Sequence, residues 1–123
     1  IDSEVFYADF KWDSILEQIE TQNFKLKTIP KFPKVKRDLA LLLDKNISFN
    51  SIRESAIKSE RNLLKNINLF DVYTGSKLPK DKKSYAISFT LQDEKKTLTD
   101  KQIDKIMKKL QQNFEKYFGA ILR

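Results

Sequence analysis

The chain has 123 residues, 40% of them hydrophobic, enough for one packed core. It contains neither cysteine nor histidine, which excludes disulfides, thiolate metal sites and the commonest general base, and its two glycines leave no Gly-rich phosphate loop. Its net charge of +7 lies wholly beyond residue 36, because residues 1–36 carry six basic and six acidic side chains and the rest carry eighteen against eleven. A basic domain attracts polyanions, although a lysine-rich surface also serves solubility alone. The carboxylates are scattered among lysines and form no acid–base pair, so catalysis is not expected from these residues. Lack of cysteine fits a reducing compartment, and no apolar run approaches the length of a membrane span. The start at Ile1 rather than methionine is expected of a piece of a longer protein.

Glu4 to Phe10, dense in aromatic and β-branched residues, predicts a strand. Asp13 then caps a short helix with Ile15, Leu16 and Ile19 at helical spacing. Phe24 to Ile29 alternates and predicts a second strand, giving an N-terminal β-α-β appendage. Two prolines in Ile29-Pro30-Lys31-Phe32-Pro33 mark an extended linker and the domain boundary. Asp38 to Asp44 encloses five apolar residues, a length that favours a buried strand. Ser48 caps a helix with Phe49, Ile52 and Ala56 on one face. Leu63 to Tyr73 is a long strand whose apolar parity changes between Leu69 and Phe70, which predicts a bulge or strong twist near Leu69.

Gly75 to Lys83 is a loop holding four lysines. After it Tyr85, Ile87, Phe89 and Leu91 alternate with Ala86, Ser88, Thr90 and Gln92, a strand with one buried face and one small, polar face. Thr99 and Gln102 form a capping box, with Leu98 stapled to Ile103. Ile103, Ile106, Met107, Leu110, Phe114 and Tyr117 then share a helical face. Gly119 ends that helix, and Ala120 to Leu122 is a short closing strand. The order β-α-β-β-α-β from residue 37 predicts an α+β, ferredoxin-like sandwich: a four-stranded antiparallel sheet with two helices on one face.

The uncovered face is where a partner can bind. Asp71 and Tyr73 share a parity at the end of one strand, and Ser84, Ala86, Ser88 and Thr90 form the polar row of the next. A ring, a carboxylate and a hydroxyl thus converge beside the loop lysines, a combination suited to an unpaired base. The alternative is that Tyr73 packs at the strand end and Asp71 pairs with a lysine. Tyr7, Phe10, Trp12 and Tyr117 are expected in the core or on covered surface. Lys101, Lys105, Lys108 and Lys109 are expected to form a solvated helix face turned away from the site.

Five segments are similar to the ferredoxin-fold anticodon-binding domain that ends the beta subunit of bacterial phenylalanyl-tRNA synthetase. They are Phe32 to Ala40, Leu69 to Gly75 (Leu-Phe-Asp-Val-Tyr-Thr-Gly), Lys83 to Ala86, Thr97 to Asp100 and Gly119 to Arg123. The resemblance covers residues 32–123, and residues 1–31 are similar to the tail of the preceding synthetase-like, non-catalytic module with its linker. It implies binding of the tRNA(Phe) anticodon, with a base stacked on Tyr73, Asp71 and Ser84 as base-edge partners, and Arg123 as a phosphate or base contact. Lys83 and Arg37 are further candidates, Arg37 with the alternative of pairing with a carboxylate at the sheet edge. The resemblance places aminoacylation, with ATP, Mg²⁺ and phenylalanine, in the alpha subunit of a cytoplasmic α2β2 assembly, and no cofactor, metal or catalytic residue in this chain. A protein-interaction module docking on a neighbouring subunit stays open as the alternative, and it would require apolar side chains on the bare face. A phosphate-ester hydrolase on the same scaffold would require an arginine-bearing phosphate loop where Lys45-Asn46-Ile47-Ser48 stands.

Overall fold

The structure is a computed structural model that describes residues 4–19 and 29–123. Its elements are α1 (Trp12–Ile19), β1 (Val35–Asp44), α2 (Phe49–Ser59), β2 (Leu64–Tyr73), β3 (Lys82–Leu91), α3 (Asp100–Phe118) and β4 (Ile121–Leu122). The apolar run Leu39 to Leu43 becomes an inner strand because strands pair with it on both sides, β3 along its length and β4 at Leu41 and Leu42. The four strands form one antiparallel sheet in the order β2-β3-β1-β4. This is the split β-α-β arrangement that the element order requires.

Alternation in β3 decides which face is the core. Tyr85, Ile87, Phe89 and Leu91 are buried with Leu41 and Leu43 of β1, Leu64 and Ile67 of β2, Ile52 and Ala56 of α2, and Ile103, Ile106, Leu110 and Phe114 of α3. The Phe89 and Phe114 rings stack with centroids 6.1 Å apart, so α3 lies directly over the central strand. Tyr85 meets Phe49 edge-on at 6.4 Å and donates its hydroxyl to the Ile47 carbonyl at 3.3 Å, which fixes the start of α2. Both helices therefore cover one face and leave the other bare.

Helix ends follow the expected chemistry. Ser48 accepts from the Ser51 amide. Thr99 and Gln102 satisfy each other reciprocally, with the Thr99 amide donating to Gln102 Oε1 at 3.1 Å. Gly119 closes α3 in the left-handed conformation, φ 57°. One placement on α3 differs from expectation. Tyr117 is exposed, and Phe118 packs against the core instead, because the last turn projects past the end of the sheet-facing stripe.

Ten residues of β2 face eight of β3, because the ladder slips between Leu64 and Asn66 and again between Leu69 and Asp71. The second slip is the bulge anticipated near Leu69. It leaves Phe70 unpaired, so Leu69 and Val72 face Ile87 and Tyr85 on the core side while Asp71 and Tyr73 face Ala86 and Ser84 on the bare side.

The N-terminal appendage departs from the expected β-α-β. Glu4 to Phe10 forms no strand, since strand-prone residues adopt a ladder only where a neighbour supplies the other half of each hydrogen bond. The second expected strand falls on residues outside those described, save Ile29, which is irregular. Helix α1 does form, with Asp13 inside its first turn rather than at the cap. Tyr7, Phe10 and Trp12, expected to be covered, are all exposed.

Candidate nucleic-acid interface

Strand register sorts the candidate residues by face. On the bare side, Tyr73 stands across from Ser84, Ser84 from Leu42, and Leu42 from Ile121. The adjacent row runs from Asp71 to Ala86 to Ala40, and the Arg123 amide donates to the Ala40 carbonyl at 2.9 Å, which carries this row to the C-terminal arginine. Four of the expected residues, Asp71, Tyr73, Ser84 and Arg123, thus meet on one surface. Between Asp71 and the C-terminal arginine lie the two alanines, whose short side chains leave a shallow trough with Asp71 at one end and Arg123 at the other.

The side chains around this trough differ in availability. The Tyr73 ring folds back over Gly75, where any side chain would collide with its hydroxyl end, and the residue keeps 38% of its surface exposed. Asp71 and Arg123 are exposed. Among the described residues Asp71 enters no ion pair, so the lysine pairing considered for it is not formed. Ser84 is less available than its position suggested: at 8% exposure it lies buried between Tyr73 and Leu42 in the ladder. Gly75, Leu42 and Ile121 are contributors that side-chain chemistry alone did not single out. Only strand register reveals the last two, and only the seat of the Tyr73 ring reveals the first.

Lys83 and Arg37 do not join the group. Lys83 has the parity of Tyr85, and its ammonium sits 4.6 Å from that ring's centre, on the helix side. Arg37 faces Phe89 across the ladder, so its guanidinium also lies on the helix side, 3.9 Å from the Asp100 carboxylate in the first turn of α3. Its partner is thus a helix carboxylate rather than one at the sheet edge. Where the β2–β3 loop ends, Lys82 is held by Asp44 at 2.8 Å. Lys77 and Lys80 are exposed and form no ion pair among the described residues, so their charge is free beside Tyr73. The loop itself is braced by two tight turns, and the Asp81 carbonyl accepts from the Lys45 amide at 2.9 Å.

The lysines of α3 are exposed on the opposite side of the molecule, as expected. A groove of about 610 Å³ also lies on that side, between α2 and α3, lined by Ser51, Glu54, Ser55, Lys58, Ser59, Asn113, Tyr117 and Phe118. The bare face is thus a surface rather than a cavity. Around the trough, the mix of Tyr73, Asp71, small residues and peripheral cations suits a flat, polar, anionic ligand.

Comparison with known proteins agrees with this fold. Residues 30–123 match the family model described as ferredoxin-fold anticodon binding domain. The whole chain is 54% identical to part of the phenylalanine–tRNA ligase beta subunit of Bacteroides fragilis and 46% identical to that of Porphyromonas gingivalis. A 104-residue stretch, 85% of the chain, is 38% identical to the beta subunit of Geobacillus kaustophilus. The chain spans 15% of the length of the first two relatives and the matched stretch 13% of the third. By its fold, its bare face and this match, the chain belongs to the ferredoxin-fold anticodon binding domain family.

Proposed function

We propose that the bare sheet face binds the anticodon of tRNA(Phe), and that the chain is the anticodon-recognition segment of a phenylalanine–tRNA ligase beta subunit. The observation that carries this reading is the convergence of Tyr73, Asp71 and Arg123 around the alanine trough. Tyr73 is the stacking platform. Asp71 accepts from the amino or imino group of the stacked base, Ser84 lends its hydroxyl once the base displaces what covers it, and Arg123 meets a base or phosphate. Lys77 and Lys80 draw in the phosphates. Lys83 and Arg37, on the helix side, act at most on more distant phosphates.

The rest of the reading concerns the parent protein. Residues 1–31 are the tail of the preceding synthetase-like module and its linker, and 32–123 are the anticodon-binding domain. The uncovered apolar stripe of α1 and the family match beginning at residue 30 support that division. The relatives' name, a beta subunit, supports a partner subunit; in this reading ATP, Mg²⁺ and aminoacylation belong to an alpha subunit in a cytoplasmic α2β2 assembly. The assembly-module alternative is weaker, because beyond Tyr73, Leu42 and Ile121 the bare face is built of alanine, serine, threonine, asparagine, aspartate and lysine.

The test is Tyr73→Ala in the full-length ligase. Loss of one stacked base is expected to weaken tRNA binding by about 1–3 kcal/mol. An unchanged KM for tRNA in that variant would remove the stacking role.

A further inference from the structure

The bare face continues beyond the trough, away from the hairpin. Two levels past Ser84 on β3, Ser88 stands between Asn68 of β2 and Asp38 of β1, and the next level joins Asn66, Thr90 and Lys36. Asn68 and Asp38 are exposed, and neither forms a side-chain hydrogen bond or ion pair among the described residues. Ser88 is 2% exposed, and its hydroxyl has no hydrogen-bond partner among the described residues. Buried hydroxyls are nearly always hydrogen-bonded, and an alanine here would fill the same space without stranding a polar atom. A buried hydroxyl without a protein partner, flanked across both ladders by an unpaired carboxamide and an unpaired carboxylate, is a row suited to a polar ligand.

We infer that the Asn68–Ser88–Asp38 row is a second base-reading subsite, for an unpaired nucleobase that carries an exocyclic amino group beside a ring acceptor, adenine or cytosine. The inference rests on the anticodon reading above and extends it to a base other than the one on Tyr73. Three neighbouring strands set these groups over a width of about 10 Å, two inter-strand spacings, so the Asn68 and Asp38 side chains approach a single base from either side of Ser88. The Asn68 carboxamide donates to the ring nitrogen and accepts from the amino group, the pairing by which asparagine reads adenine. The Asp38 carboxylate takes the second amino hydrogen. With Asn68 and Asp38 turned toward the base, whose one ring acceptor on that edge is taken by Asn68, the Ser88 hydroxyl donates to the Asp38 carboxylate and holds it in place. Uracil offers a carbonyl where the amino group belongs, and so meets Asp38 with an acceptor against an acceptor.

The experiment uses the full-length ligase and tRNA transcripts in which each anticodon position is replaced in turn by uracil. Binding is read by fluorescence anisotropy and folding by thermal melting. Asp38→Asn and Asn68→Ala are expected to bind the unsubstituted transcript about tenfold more weakly and to lose discrimination at one anticodon position, with unchanged melting. Ser88→Ala is expected to melt at the same or a higher temperature and still bind more weakly. If all three variants bind every transcript as the unmodified ligase does while Tyr73→Ala is impaired, the second subsite is overturned and the stacking role stands. If instead Asp38→Asn and Asn68→Ala lose one position while Tyr73→Ala binds normally, the row is a base reader and the stacking role is what fails.

Discussion

Tyr73 rests on the one residue in its neighbourhood with no side chain to displace it. Gly75 does not have a left-handed backbone, so alanine fits there conformationally, but its methyl group would occupy the space of the Tyr73 ring's outer end. Gly75→Ala is therefore expected to leave stability unchanged or raise it by about 0.5 kcal/mol. It should at the same time push the ring off its seat and raise the KM for tRNA toward the Tyr73→Ala value. Thermal melting and aminoacylation kinetics, run together, check both halves. At this scale the sequence was legible where a residue's chemistry suffices: a ring and a carboxylate two positions apart at a strand end. Ser84 shows the limit. Its parity was read correctly, yet its burial depends on Tyr73 and Leu42 from two other strands. Arg37 shows another, since its Asp100 partner is 63 positions away and is brought near only by the packing of α3 over β1.

Elements were most readable where local hydrogen bonding defines them. The Thr99–Gln102 box sets the start of α3, and Thr99→Ala is expected to cost about 1 kcal/mol, measurable as a shift in a urea unfolding midpoint. Because α3 lies on the covered side, that substitution should not change tRNA affinity. The Phe70 bulge was visible because Leu69 and Phe70 are adjacent and apolar, which no regular half-buried strand permits. The slip at Lys65 left no such mark, since a lysine between Leu64 and Asn66 suits either face. Glu4 to Phe10 failed for the opposite reason. Its composition is that of a strand, but strand formation belongs to a pair, and no partner strand adjoins it among the described residues. The bulges matter for the free side of β2 as well: a ladder broken twice is a poor template for an incoming strand, although Phe70 and Val72 are exposed there.

At the scale of the molecule, charge and topology divide the labour. The helices cover the apolar alternation of β1, β2 and β3, and the basic excess beyond residue 36 decorates what remains. Lys77 and Lys80 lie in the loop beside the proposed anticodon site, whereas Lys108 lies on α3. Replacing Lys77 or Lys80 by glutamine is expected to reduce the slope of log Kobs against log salt by about 0.7 for each phosphate that is no longer neutralised. Lys108→Gln should leave the slope as it is, and titrations at several salt concentrations separate the two cases. The order of elements was enough to read this architecture, because a β-α-β-β-α-β chain of such lengths has few ways to bury its apolar faces. The exposure of Tyr7, Phe10 and Trp12 was not readable, since an aromatic cluster looks the same in sequence whether or not another element packs over it.

The mismatch of ten residues against eight in β2 has an evolutionary corollary. In an ordinary strand, losing one residue turns every later side chain over. Losing Phe70 would instead regularise the ladder and keep Asp71 and Tyr73 aimed at the same surface. A length change at that spot, ruinous elsewhere in the sheet, is one that descendants of this domain are free to inherit.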